Sequence, residues 1–148
     1  MNTPNDINRF KTIQDNPFTG YAQALKEITN GKKTSHWIWY IFPQLRGLGQ
    51  SSRSAYYGLS GHEEALLYLQ DEQLGKRLRE ITEALLNHTS RPAVSILGEI
   101  DTLKVQSCMT LFDSLSPGDV YGKVLDTFYE GKRCRRTLYL LQKKNETP

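Results

Sequence analysis

Three short segments hold the residues best equipped for chemistry. His36, Trp39 and Tyr40 lie in an aromatic run, Ser35-His36-Trp37-Ile38-Trp39-Tyr40-Ile41-Phe42-Pro43-Gln44, which contains both tryptophans of the chain. If the run is helical, imidazole, indole and phenol share one face at i, i+3 and i+4. Such a face stacks on a planar ring and hydrogen-bonds its edge. The second segment supplies Gln44, Gly47, Gly49 and Ser51. Glycine lets backbone approach a ligand closely, and successive amides and hydroxyls cradle an anion. The third segment carries Asp101, Lys104, Ser107 and Thr110 at helical spacing. Lys104 would hold phosphate there, and His36 or Asp101 would act as general acid or base.

Other chemistries fail on spacing. The histidines His36, His62 and His88 and the distant cysteines Cys108 and Cys134 make no metal set. Gly47-Leu48-Gly49 lacks the strand before it and the helix after it that a dinucleotide fingerprint needs, and it lacks the Gly-Lys-Ser ending of a P-loop. No Gly-x-Ser-x-Gly elbow occurs. The sequence therefore calls for no metal and no organic cofactor.

The net charge is +3, but its distribution is uneven. Residues 131–144 carry six bases, Lys132, Arg133, Arg135, Arg136, Lys143 and Lys144, and no acid; 13 bases face 16 acids elsewhere. A basic stretch steers anions or nucleic acid. One this short reads first as a solvated face, so nucleic acid is not the expected partner. No apolar run approaches the ~20 residues of a membrane span. The first fifteen residues are polar and have no signal-peptide core. The expectation is a cytoplasmic protein with free thiols and no membrane partner; oligomeric state is not encoded in any pattern here.

The elements that must position these residues read as helices. A chain of 148 residues is one domain able to bury ~68–70% of its unfolded surface. Asp6 caps a short helix over residues 7–14. Phe18, Tyr21, Ala22, Leu25 and Ile28 repeat at helical spacing up to Asn30-Gly31. Ser60 and Glu63 form a capping box. Leu74, Leu78, Ile81 and Leu85 make the clearest apolar stripe. A short segment runs from Pro92 to Leu97, closed by Gly98. Asp101 caps the next helix, whose buried stripe is Val105, Cys108, Met109 and Phe112. Val120, Tyr121, Val124, Leu125 and Phe128 follow, then a last helix over 137–142. Residues 36–42 are a continuous apolar run. Strand and helix both fit it, but there is no second strand to satisfy a strand's backbone groups, so helix is preferred. The expected fold is all-α, a single domain over 1–148 of about seven or eight helices. Its ordered core spans about 7–142, with Asn145 to Pro148 disordered.

These residues also resemble a known family. Gly31-Lys32-Lys33 with the aromatic run, Gly47-Leu48-Gly49-Gln50-Ser51, and Tyr56-Tyr57 resemble the signature of the domain of unknown function 1810 family. So do Glu64-Ala65 with Tyr68-Leu69, Leu74-Gly75 with Arg77-Leu78, and Asp101-Thr102-Leu103-Lys104 with Ser107 to Phe112. The resemblance covers about residues 7–141 and implies a compact, mainly helical domain, with helix across 36–42. The family tends to carry an aspartate near the position of Cys134, where it would cap the last helix or line a site.

Two functions fit. The preferred reading is a small, soluble ligand-binding protein, with hydrolysis of the bound ligand as the further expectation. Its ligand would be anionic, a nucleotide or ADP-ribose-like molecule, with Trp39 or Tyr40 stacking the base. A likeness in helical size and motif character to the riboflavin-intermediate N-glycosidase and ADP-ribosyl-glycohydrolase group points to N-glycosidic hydrolysis by analogy. The alternative is a non-catalytic protein or polyanion interaction module. A ligand site requires His36, Gln44, Ser51, Lys104 and Ser107 to converge on one concave surface; a module leaves them dispersed.

Overall fold

The computed structural model describes residues 6–146. Ten helices occur among them: α1 (Asn8–Gln14), α2 (Tyr21–Thr29), α3 (Ile38–Ile41), α4 (Ser52–Tyr57), α5 (His62–Gln70), α6 (Glu72–Leu86), α7 (Ala93–Leu97), α8 (Glu99–Leu115), α9 (Val120–Phe128) and α10 (Arg135–Glu146). The described residues contain no named strand. One isolated parallel bridge joins Leu45 to Leu59. The architecture is all-α as expected, with more and shorter helices than the seven or eight anticipated. One-turn pieces such as α3 and α7 carry too few residues to show a period.

The helices form because their apolar positions converge on α8. Ser107 to Phe112 are six consecutive buried residues. Over that stretch the helix is buried on every side and shows no solvent stripe; α5, α7, α9 and α10 all pack against α8. The expected α6 stripe is fully interior: Leu74, Leu78, Ile81 and Leu85 are at most 1% exposed. It lies against α2, α5 and α9. Each such side chain contributes about 1.5–3 kcal/mol by leaving water.

A buried ion pair ties α1 to the α4–α5 corner. The Arg9 guanidinium donates to both Glu64 carboxylate oxygens at 3.0 and 3.2 Å. It also donates to the carbonyls of Tyr56, Gly58 and Asp6. With every donor occupied, the pair recovers much of the cost of burying two charges.

Several local expectations are corrected. Glu64, not Glu63, takes the Ser60 amide at 2.9 Å, and Gly61 precedes α5 without a side-chain cap. Asp6 accepts the Asn8 amide, so it serves the start of α1 as expected. Phe18 is 80% exposed and Ala22 is exposed; α2 buries Tyr21, Ala24, Glu27 and Ile28 instead. The helix starts after Gly20, so Phe18 lies in the preceding turn, where it cannot share the helical period. Asn145 and Glu146 continue α10, whereas Thr147 and Pro148 lie outside the described residues. α10 also begins earlier than the expected residue 137.

Candidate functional site

The site is built from a buried carboxylate outwards. Glu27 on α2 accepts hydrogen bonds from the Thr34 amide (2.7 Å), the Ser35 amide (2.9 Å), the Ser35 hydroxyl (2.6 Å), the Trp37 indole (3.0 Å) and the Gln23 amide group (2.8 Å). Burial pushes its pKa up, but the donors from Ser35, Gln23, Thr34 and Trp37 outweigh that and hold it at about 2. One side chain thereby shapes the loop that enters the aromatic run. Lys33 locks it from the other side. Its ammonium donates to the Ser35 carbonyl, pairs with Asp101 at 2.7 Å, and lies 4.7 Å from the Trp37 ring centre.

The run then makes a single turn, α3, ended before Pro43 because proline disfavours helix in the residue preceding it. The expectation that His36, Trp39 and Tyr40 share one face fails. Helix begins only at Ile38, so His36 sits in the preceding bend, exposed. Tyr40 turns inward: its hydroxyl donates to the Thr19 carbonyl at 2.7 Å, and its ring packs on Tyr57 at 5.3 Å. Only Trp39 of α3 faces outward, half-buried.

Trp39 gathers positive charge. The Arg53 guanidinium lies 5.0 Å from its ring centre and the Lys104 ammonium 5.1 Å. Neither cation has a carboxylate within ion-pair distance among the described residues, which is also true of surface cations such as Lys76 and Arg136. The Trp39 Nε1–H is buried with no acceptor among the described residues. Two cations without a carboxylate partner thus lie over one ring whose own N–H has no acceptor. The role expected of Trp39 changes accordingly. Its ring holds cations rather than offering a bare stacking face.

Two grooves flank this point. The first, about 490 Å³, is walled by Ile38, Trp39, Leu97 and Ile100, with His36, Lys33, Glu99 and Asp101 at its rim. Gly98 stands at the joint of α7 and α8 with φ 84°, a conformation that favours glycine. It turns the chain so that α8 starts in this groove. Asp101 is therefore no cap: α8 begins at Glu99, and the carboxylate faces Lys33. The second groove, about 250 Å³, is lined by Gln44, Leu48, Gly49, Ile100, Leu103, Lys104, Ser107, Cys134 and Arg136. Gly49 is required by close approach, since a Cβ there would lie 2.7 Å from the Ser54 side chain. The Leu45–Leu59 bridge fixes the start of this loop, through the Arg46 amide to Leu59 and the Leu59 amide to Gln44.

Of the residues expected to act, the structure brings His36, Trp39 and Asp101 to the first groove and Gln44, Gly49, Lys104 and Ser107 to the second. It does not bring Tyr40, Gly47, Ser51 or Thr110. Ser51 caps α4, its hydroxyl accepting the Ser54 amide at 3.1 Å. Gly47 offers its carbonyl to Arg136. Thr110 is buried, donating to the Gln106 carbonyl and accepting the Cys134 amide at 2.9 Å. It positions the start of α10 rather than a ligand.

Lys33, Ile100, Leu103, Cys134 and Arg136 escaped sequence reading. The signal for two of them lay in α8. Ile100, Leu103, Lys104 and Ser107 repeat at i, i+3, i+4 and i+7, a second stripe beside the core one. Its apolar members remain 70% and 65% exposed. Cys134 immediately precedes α10 and accepts the Ser107 hydroxyl at 3.3 Å. Burial pushes its thiol up, but hydrogen bonds from Ser107 and from the first turn of α10 outweigh this and lower it. Burial raises the Cys108 thiol well above the ordinary range.

A larger groove, about 680 Å³, lies between α1, α2 and α6. Its charges are largely met in place. Lys11 pairs with Asp71, Arg77 with Asp15, and the Tyr21 hydroxyl donates to Glu80 at 2.6 Å. No group of three or more potential metal ligands converges among the described residues, and none of their helices is long and apolar enough to cross a membrane.

The model of a protein family described as "Protein of unknown function (DUF1810)" matches residues 4–141. The chain belongs to this family. Its fold is also that of the conserved hypothetical protein Rv1873 from Mycobacterium tuberculosis, known from a crystal structure. The two are 40% identical and superpose with a TM-score of 0.88, over 94% of this chain and 98% of the other. No curated protein matches the chain.

Proposed function

We propose that the Trp39 surface binds a small anionic molecule that carries a planar ring, of the nucleotide or ADP-ribose type. The observation that carries this reading is the pair of unneutralised cations, Arg53 and Lys104, on a ring whose own N–H lacks an acceptor. An anion at that point meets the Arg53 and Lys104 cations. A planar ring would lie against Ile38, Leu97 and Ile100 in the first groove, where apolar walls with a few polar groups are the usual make-up of a ligand site.

Trp39 reports its own occupancy. Titrating the protein with adenosine monophosphate or ADP-ribose should change indole emission saturably. The Trp39→Phe variant, which keeps buried Trp37, should lose the response. Lys104→Met should weaken binding about tenfold, the worth of one charge-assisted contact at ~1.4 kcal/mol. An unmoved emission at millimolar ligand, or an undiminished response in Trp39→Phe, would sink the reading.

Hydrolysis is the finer part of the proposal. His36 and Asp101 share the first groove; one would activate water and the other protonate a departing base. Release of free base that disappears in His36→Ala, with binding kept, is the expected result for an N-glycosidase. Binding without release would leave a binding protein.

A further inference from the structure

We infer that the ligand of this surface is two-ended, with an anionic link in the middle, a planar ring at one end and a sugar-like polar group at the other. The inference rests on the binding reading above and goes on to the order of groups along the ligand. Lys104 is the pivot. Its ammonium stands over Trp39, which walls the first groove, while the residue itself lines the second; Ile100 borders both. A cation without a carboxylate partner therefore stands at the junction of the two grooves.

The two grooves differ in what they accept. The first carries Glu99 and Asp101 at its rim, and only Asp101 is neutralised, by Lys33. An anionic group is repelled there, whereas the apolar wall suits a ring. The second groove has no acid in its lining, and it adds Arg136, Gln44 and Ser107 to the apolar Leu48 and Leu103. Amide, hydroxyl and guanidinium groups together suit a polyol with a charge beside it. At about 250 Å³ the second groove falls below the ~300–1,000 Å³ of an ordinary ligand pocket. It is sized as a subsite, not as a site. A pyrophosphate- or phosphodiester-linked compound with a base at one end and a sugar at the other meets all three demands.

The test compares adenosine monophosphate, which supplies one end and the charge, with ADP-ribose, which supplies both ends. Dissociation constants come from titration calorimetry on the whole protein. ADP-ribose should bind at least about tenfold tighter, a modest gain for joining a second contact to the first. In a variant with Gln44→Ala and Leu103→Ala, checked for native circular dichroism, that ratio should collapse to within about threefold. A ratio near one in the unaltered protein overturns the inference, as does a ratio that survives the double substitution. If neither compound binds and Trp39 emission does not move, the binding reading fails, and this inference falls with it. A ratio near one with both compounds bound sinks only the two-ended ligand.

Discussion

Trp37 and Trp39 stand two residues apart and have opposite fates. Trp37 is fully buried. Its N–H reaches Glu27, and the cation over its ring, Lys33, is neutralised by Asp101. Trp39 is half-exposed, its N–H has no acceptor, and the two cations over its ring have no carboxylate. The same side chain with the same kind of cationic neighbour has every polar partner met in one place and not in the other. What separates them is completeness. A polar cluster whose every member is satisfied rigidifies a fold, and one left incomplete keeps capacity for a ligand.

The sharpest way to break the comparison is to remove each ring. Trp37→Ala should cost about 3–5 kcal/mol, as a buried aromatic does, and more if the Glu27 carboxylate is left short of a donor. Trp39→Ala should cost about 1 kcal/mol, because much of its surface is already wet and the cation contacts are worth ~0.5–1 kcal/mol each. Denaturant unfolding of both variants measures this. Equal losses would mean that Trp39 is structural after all.

Acid should separate the two regions next. Glu27 titrates near the ordinary carboxylate value of 4.5 when unfolded and at about 2 when folded. A depressed folded pKa gives stability that is present above about 4.5 and is lost as pH falls towards about 2. The melting temperature of the unaltered protein should fall across that window more steeply than that of Glu27→Gln. Parallel curves would show that the Glu27 cluster does not carry the acid sensitivity. The Trp39 surface makes no use of the Glu27 carboxylate, so Glu27→Gln should leave any ligand response there in place wherever the protein is folded.

The smallest expected effect concerns the cysteines. The half-buried Cys134 thiol is lowered and that of Cys108 raised, both partly or wholly by their surroundings. At neutral pH a thiol reagent should modify Cys134 in the native protein and reach Cys108 only after denaturation. Bound ligand should slow the first reaction, since Cys134 lines the second groove. Cys134→Asp should keep the fold, with a change within about 1 kcal/mol, because Cys134 immediately precedes α10 and aspartate is a good helix cap.

The sequence by itself determined the helices with long apolar periods, α6, α8 and α9, and their buried stripes. It also determined the stop at Gly98, at positive φ. It singled out His36, Trp39, Gln44, Gly49, Asp101, Lys104 and Ser107, which do line the paired grooves. These signals are local: a period, a cap or a cluster of reactive types is written within one turn or two. Tertiary structure alone decided which aromatic of the run faces out, because Glu27 and Lys33 set the entry to α3 from other segments. It also decided that Asp101 meets Lys33, that Thr110 holds Cys134, and that Arg53 and Lys104, fifty-one residues apart, meet on one indole. Partnership between distant side chains depends on how helices pack, and no spacing along the chain encodes which charges will be left without a partner.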